Sequence, residues 1–210
     1  MNQPDRVAIG LRAKTARAIV VVLGGLSDAP VVLMKGEIQL ADPNVPATSQ
    51  PYHEVMDLPW SDSQQAVRKY STWIEVTARR ALARLIKEQR SAGREVCGVG
   101  IVGAKDRDLA RIGNQHIRAH AAEGVLFRRV LDLAAEKNGL KWRTFPDREF
   151  DSIAAAELGS EAANTRRRIS DLRHSVTPPW RTDEKQAAIA AWLVLNQARA
   201  ASDQPTSDAN

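Results

Sequence analysis

The chain has 210 residues, 43% of them hydrophobic, and 30 Lys+Arg against 25 Asp+Glu give it a net charge of +5. That length suits one sizeable core, so a single domain over residues 1–200 is expected. No run of about 18 apolar residues is present and the N-terminus lacks the basic-then-apolar layout of a secretory signal, which predicts a cytoplasmic, bacterial-type protein with no membrane partner.

In chain order, RVAIGLR (6–12) and RAIVVVL (17–23) are short β-branched runs on either side of AKTA, a pattern that predicts a hairpin. GGLSDAP is a second turn, and VVLMKGEIQLAD alternates as a third strand with Lys35, Glu37 and Gln39 on one side. Residues 43–60, PNVPATSQPYHEVMDLPW, hold four prolines and no period, so they predict a Pro-rich loop, a kind of segment that often carries function. Ser61 or Asp62 is placed to cap a helix from about 63 to 91, whose repeat of Val67, Tyr70, Ile74, Thr77/Ala78, Leu82 and Leu85 makes one apolar face ahead of Gly93. EVCGVGIVGA (95–104) is apolar on both faces, as in a central strand buried between layers, and its Cys97, the lone cysteine, reads as a small core residue.

AHAAEGVLFRRVLDLAAEKNG predicts the next helix, with Leu126, Val130, Leu133 and Ala134 inward and Asn138-Gly139 as its stop. LKWRTFPD follows as a short strand, then EFDSIAAAELG and EAANTRRRISDLRHSV as two helices. Pro178-Pro179 break the chain before a last helix capped by Thr182, with Ile189, Trp192, Leu193 and Leu195 on its apolar face. Trp60 and Trp180 stand at loop ends, where large rings clamp the chain onto a core. The polar ending 201–210 is expected to be a disordered tail.

Two features carry chemistry. The arginine clusters RKY, ARRALAR and NTRRRISDLRH either neutralise phosphates or form solvated helix faces, and the aromatic residues are too few to stack single strands. NQHIRAHAAEG (114–124) places His116, His120 and Glu123 at i, i+4 and i+7 on one helix face. Two imidazoles and a carboxylate suit a divalent ion, Mg²⁺ or Zn²⁺, with His53 from the Pro-rich loop as a further ligand. The same groups also suit a metal-free acid–base or phosphate site, or a structural cluster that closes the helix start.

The element order, and the hairpin VAIGLRAKTARAIVVVL in particular, resemble the ribonuclease H-like superfamily and its RuvC Holliday-junction resolvases. The resemblance implies an α/β three-layer fold: a mixed five-stranded sheet, three antiparallel strands then two parallel, flanked by helices. It also implies a carboxylate in the first strand, a second at the end of the fourth and one or two more in the last helix, holding two divalent ions about 4 Å apart. Here Arg12 or Leu11 stands at the first position and Val102 or Gly103 at the second; Asp183 and Glu184 stand at the third, with Gln186 where a second acid would follow. A guanidinium repels a metal ion, so a standard two-metal nuclease is not expected.

Two readings follow. One is a degenerate domain of this kind that binds DNA or RNA or serves as a scaffold, with Arg12, Lys14, Arg17, Arg118 and Lys185 forming an anion pocket. The other is a metal-dependent nuclease or phosphohydrolase acting through His116, His120, Glu123 and Asp183. The helix at 63–91 offers a face for a protein partner or a second copy of the chain.

Overall fold

The computed structural model describes residues 5–26 and 29–202; the tip of the second turn and the expected tail beyond Ser202 lie outside the described residues. The N-terminal strand β1 (Asp5–Lys14) turns back through Thr15-Ala16 into β2 (Arg17–Leu26), with Lys14 opposite Arg17. Ala16 has φ of 65°, and its carbonyl accepts the backbone N–H groups of Leu40 and Ala41 at 2.8 and 3.2 Å, which offsets the cost of a left-handed alanine. The third strand, β3 (Ala29–Gln39), completes the antiparallel part; β4 (Arg94–Gly103) and β5 (Trp142–Pro146) join in parallel on the far side of β1. The sheet order is β3-β2-β1-β4-β5, which matches the mixed sheet expected from the sequence.

Alternation along the strands sends residues to two cores. Val7, Ile9, Leu11, Val99 and Ile101 pack under helices α1 (Trp60–Ser91) and α2 (Gln115–Lys137), meeting Ile74, Leu82, Phe127 and Leu131. Ala8, Val21 and Val102 face the opposite layer, made by α3 (Phe150–Leu158), α4 (Ala162–Asp171) and α5 (Thr182–Ser202). Residues 187–195 of α5 are all buried, because this helix lies between the sheet and α3/α4. Its alanines run over a track of glycines: a Cβ on Gly10 would sit inside the Ala187 carbonyl, one on Gly100 would lie 2.5 Å from the Ala190 oxygen, and one on Gly98 2.7 Å from Val194. Gly10 and Gly100 are register partners, so the contact is backbone to backbone.

Several boundaries differ from the sequence reading. Helix α1 begins at Trp60, with Ser61 and Asp62 inside its first turn and no side-chain cap; the single Ser63 O–H instead has the backbone carbonyls of residues 55, 58 and 59 as alternative acceptors. In α2 the buried large residues are Phe127 and Leu131, while Leu126 and Leu133 are only partly covered. Thr182 does not cap α5; the Glu184 carboxylate accepts the Arg181 N–H at 2.8 Å, one half of a capping box. The helix runs on to Ser202, past the point where a tail was expected. Cys97 is half-buried at a bulge, since Val7 pairs with Val96 and Ala8 with Gly98, and burial pushes its thiol pKa up.

No helix among the described residues is long and apolar enough to cross a membrane.

Candidate metal centre

Helix α2 runs back from the carboxyl end of β4. Gly124 lies against Ala104 and Arg128 against Gly103, so the turns before Glu123 project beyond the sheet edge. Asn114 caps this end, accepting the Ile117 N–H at 2.9 Å. The connecting segment 104–114 is held by Arg128, which is 7% exposed: it pairs with Asp106 and Asp132 and donates to the Ala104 carbonyl at 3.2 Å. Asp132 in turn accepts the Thr144 hydroxyl from β5. Arg128–Asp132 is an i,i+4 pair visible in the sequence, but its role in anchoring the helix start is not.

The Pro-rich segment is ordered by its own bonds. A short 3₁₀ turn covers Pro46–Thr48, and the buried Thr48 hydroxyl donates to Val45 O at 2.6 Å while accepting the Asp42 N–H at 2.9 Å. Tyr52 stacks on Trp60 with ring centroids 5.6 Å apart, and Arg118 lies over the same indole at 5.6 Å. Burial pushes the Tyr52 hydroxyl pKa up, opposed by Arg129 and reinforced by Glu123.

These anchors bring His53 to the α2 face. Its ring centroid lies 5.1 Å from that of His116 and 4.4 Å from that of His120, and the latter two are 4.5 Å apart. One nitrogen from each of the three rings falls within 4.8 Å of the others, with His116 Nε2 and His120 Nε2 at 3.1 Å. A tetrahedral ion with Zn–N bonds of about 2.0–2.1 Å needs its ligand nitrogens roughly 3.3 Å apart, so one edge of the triangle is already close to that size. Three imidazoles without a direct carboxylate suit Zn²⁺ and its neighbours; Mg²⁺ takes oxygen ligands and is a poor fit.

Glu123 stands behind this triangle. It is fully buried, and its Oε1 accepts the His53 Nδ1–H at 2.8 Å and the His53 backbone N–H at 3.3 Å. With Nδ1 engaged by Glu123, His53 Nε2 is the nitrogen left to a ligand; it is buried and without a hydrogen-bond partner, and Glu123 Oε2 is likewise buried and unpartnered. The sequence spacing placed Glu123 beside His116 and His120, but its contact is with His53 in the loop.

The other candidate residues do not join this centre. Asp183 lies across the sheet at the start of α5, in contact with Arg12 Nε at 3.4 Å and Lys14 Nζ at 3.1 Å. Arg12 also reaches Asp147 at 3.5 Å and the Val102 carbonyl at 3.4 Å, which puts its guanidinium between two carboxylates at the edge where the resemblance implies metal ions. Asp147 and Asp183 are therefore held by protein cations, and this edge does not fit a two-metal set. The expected anion pocket is dispersed. Arg12 and Lys14 are engaged as described, and Arg17 pairs with Glu37 at 3.3 Å. Arg118 donates from Nε to the Ile112 carbonyl at 2.7 Å, and Lys185 lines a separate depression with Asp151 and Arg166.

No family model and no curated protein matches the chain. Among solved structures it is similar to Thermus thermophilus RuvC, with 10% identity over 93% of this chain and 96% of that one and a TM-score of 0.49. It is also similar to T. thermophilus RuvC in complex with a Holliday junction substrate, with 12% identity, 94% and 96% coverage and a TM-score of 0.48.

Proposed function

We propose that His53, His116 and His120 bind one divalent ion of the zinc class and that the protein is a metal-dependent hydrolase of phosphodiesters, with DNA or RNA as the substrate class. The observation that carries this reading is the convergence of three imidazole nitrogens, from a loop and a helix far apart in sequence, within 4.8 Å of one another. Three protein ligands leave a fourth position open, where such an ion acts as a Lewis acid and lowers the pKa of a water toward about 7. His116 and His120 are exposed, so the open side faces solvent and suits an extended substrate. A polyanion is supported by the net charge of +5 and by the exposed Arg68, Arg79, Arg80, Arg84 and Arg90 on α1. Isothermal titration of the metal-depleted full chain with Zn²⁺ should give one site that His116→Ala or His120→Ala removes; labelled DNA and RNA should then be cleaved only by the loaded wild type. No binding of Zn²⁺ by the wild type overturns the reading.

A second reading, nucleic-acid binding or scaffolding without cleavage, is favoured by the Arg12 guanidinium between Asp147 and Asp183. It expects binding to duplex or branched DNA that weakens steeply with salt, and no turnover with any divalent ion. Trp73, 52% exposed on α1, marks where a protein partner or second copy would pack under that reading.

A further inference from the structure

Resting on the reading of the three histidines as ligands, we propose that Glu123 is the positioning residue that assembles the centre, by holding the 43–59 loop and its His53 on helix α2. His116 and His120 sit one turn apart on a single helix and would form a two-coordinate chelate without any tertiary structure. The third ligand is different in kind, because it arrives on a loop between β3 and α1. Among the described residues, the hydrogen bonds that cross from α2 to this loop are the two that end on Glu123 Oε1, one from the His53 ring and one from its backbone. The loop's other anchors bring it to α2, and this single carboxylate oxygen pins the His53 backbone and the orientation of its ring within that frame.

The electrostatics point the same way. Glu123 is fully buried, and its only ion-pair partner among the described residues is His53 itself. A buried carboxylate whose one such partner is an imidazole is compensated only when positive charge lies on or beyond that ring. A divalent ion on His53 Nε2 puts two positive charges one imidazole away, in the carboxylate–histidine–metal arrangement that orients the ring and raises its basicity. Seating of the loop and occupancy by the ion then reinforce each other, since each removes a cost the other would bear.

The test uses the full-length chain and Co²⁺ as a spectroscopic probe. Wild type should bind one Co²⁺ with the intense visible bands of a four-coordinate site with three nitrogen ligands, and the ion should slow chymotrypsin cleavage after Tyr52. Glu123→Gln, close to isosteric, should weaken binding by about 10–100-fold, as for other outer carboxylates, and shift Co²⁺ protection of the loop to correspondingly higher concentration. His53→Ala supplies the second measurement. On that background Glu123→Gln should cost nothing further, because Glu123 acts through His53. Unchanged affinity and spectrum in Glu123→Gln, or a full Glu123→Gln effect persisting in the His53→Ala chain, overturns the positioning role while leaving the metal reading standing. Failure of the wild type to bind Co²⁺ or Zn²⁺ overturns that reading and this inference with it.

Discussion

The Nε2 atoms of His116 and His120 lie 3.1 Å apart, on side chains that are both exposed to solvent. Two imidazoles that near gain little unless a proton or an ion lies between them. At a Zn²⁺ concentration 100 times the dissociation constant, the folded chain gains about 2.7 kcal/mol, which for a protein of this size raises Tm by about 5–10 °C. Differential scanning calorimetry should find that shift in wild type and lose it in His120→Ala; equal shifts in both would show that the stabilising ion binds elsewhere.

Asp183 belongs with Arg12 and Lys14, on the opposite face of the sheet from α2. Asp183→Asn should therefore leave the Zn²⁺ stoichiometry and affinity of the histidine centre unchanged within about twofold, as expected for sites with no shared partner. A tenfold loss of affinity would place Asp183 in the metal centre after all.

Arg12 is 14% exposed and stands between Asp147 and Asp183. Arg12→Met keeps much of the volume and removes the cation, leaving the two carboxylates facing each other; the cost should be about 1–3 kcal/mol in urea unfolding. Millimolar Mg²⁺ should return part of that stability to the variant and none to wild type, because only the variant lacks the guanidinium between the two carboxylates, Lys14 alone remaining on Asp183. Identical Mg²⁺ responses would argue that the carboxylates do not converge.

Burial, the largest influence on Cys97, holds its thiol pKa above the usual range. A raised folded-state pKa contributes stability that is fully present below the unfolded value of about 8.5 and is lost as pH rises through the folded value. Unfolding free energy should accordingly fall more steeply above pH 9 in wild type than in Cys97→Ala, and alkylation by iodoacetamide at pH 8 should be slower in the folded chain than in urea. Parallel pH profiles for the two proteins would contradict this.

The amphipathic face of α1 was legible from its helical period, and the hairpin and central strand from short β-branched or wholly apolar runs bounded by turn residues. The burial of α5 was not: its alanines carry no amphipathic signal, and their meaning depends on Gly10 and Gly100, which lie far away in sequence. The pairing of His116 with His120 could be read from helical spacing. The arrival of His53 could be raised only as a condition, since a loop without periodicity gives no direction to its side chains. Asp183 was grouped with the histidines because the resemblance puts a last-helix carboxylate at the same edge of the sheet as the start of the helix after β4. The sheet lies between them, and no local pattern reports that.

The glycine track beneath α5 has a consequence for change over time. With Ala187 and Ala190 seated on the backbone of Gly10 and Gly100, the helix has almost no freedom to roll or slide, so the separation between the sheet edge and residue 183 is set by positions that carry no side-chain chemistry. The functional groups at that edge can be exchanged, a carboxylate for a guanidinium or the reverse, without disturbing the frame that spaces them. The spacing of the frame is thereby insulated from the side chains displayed along its edge.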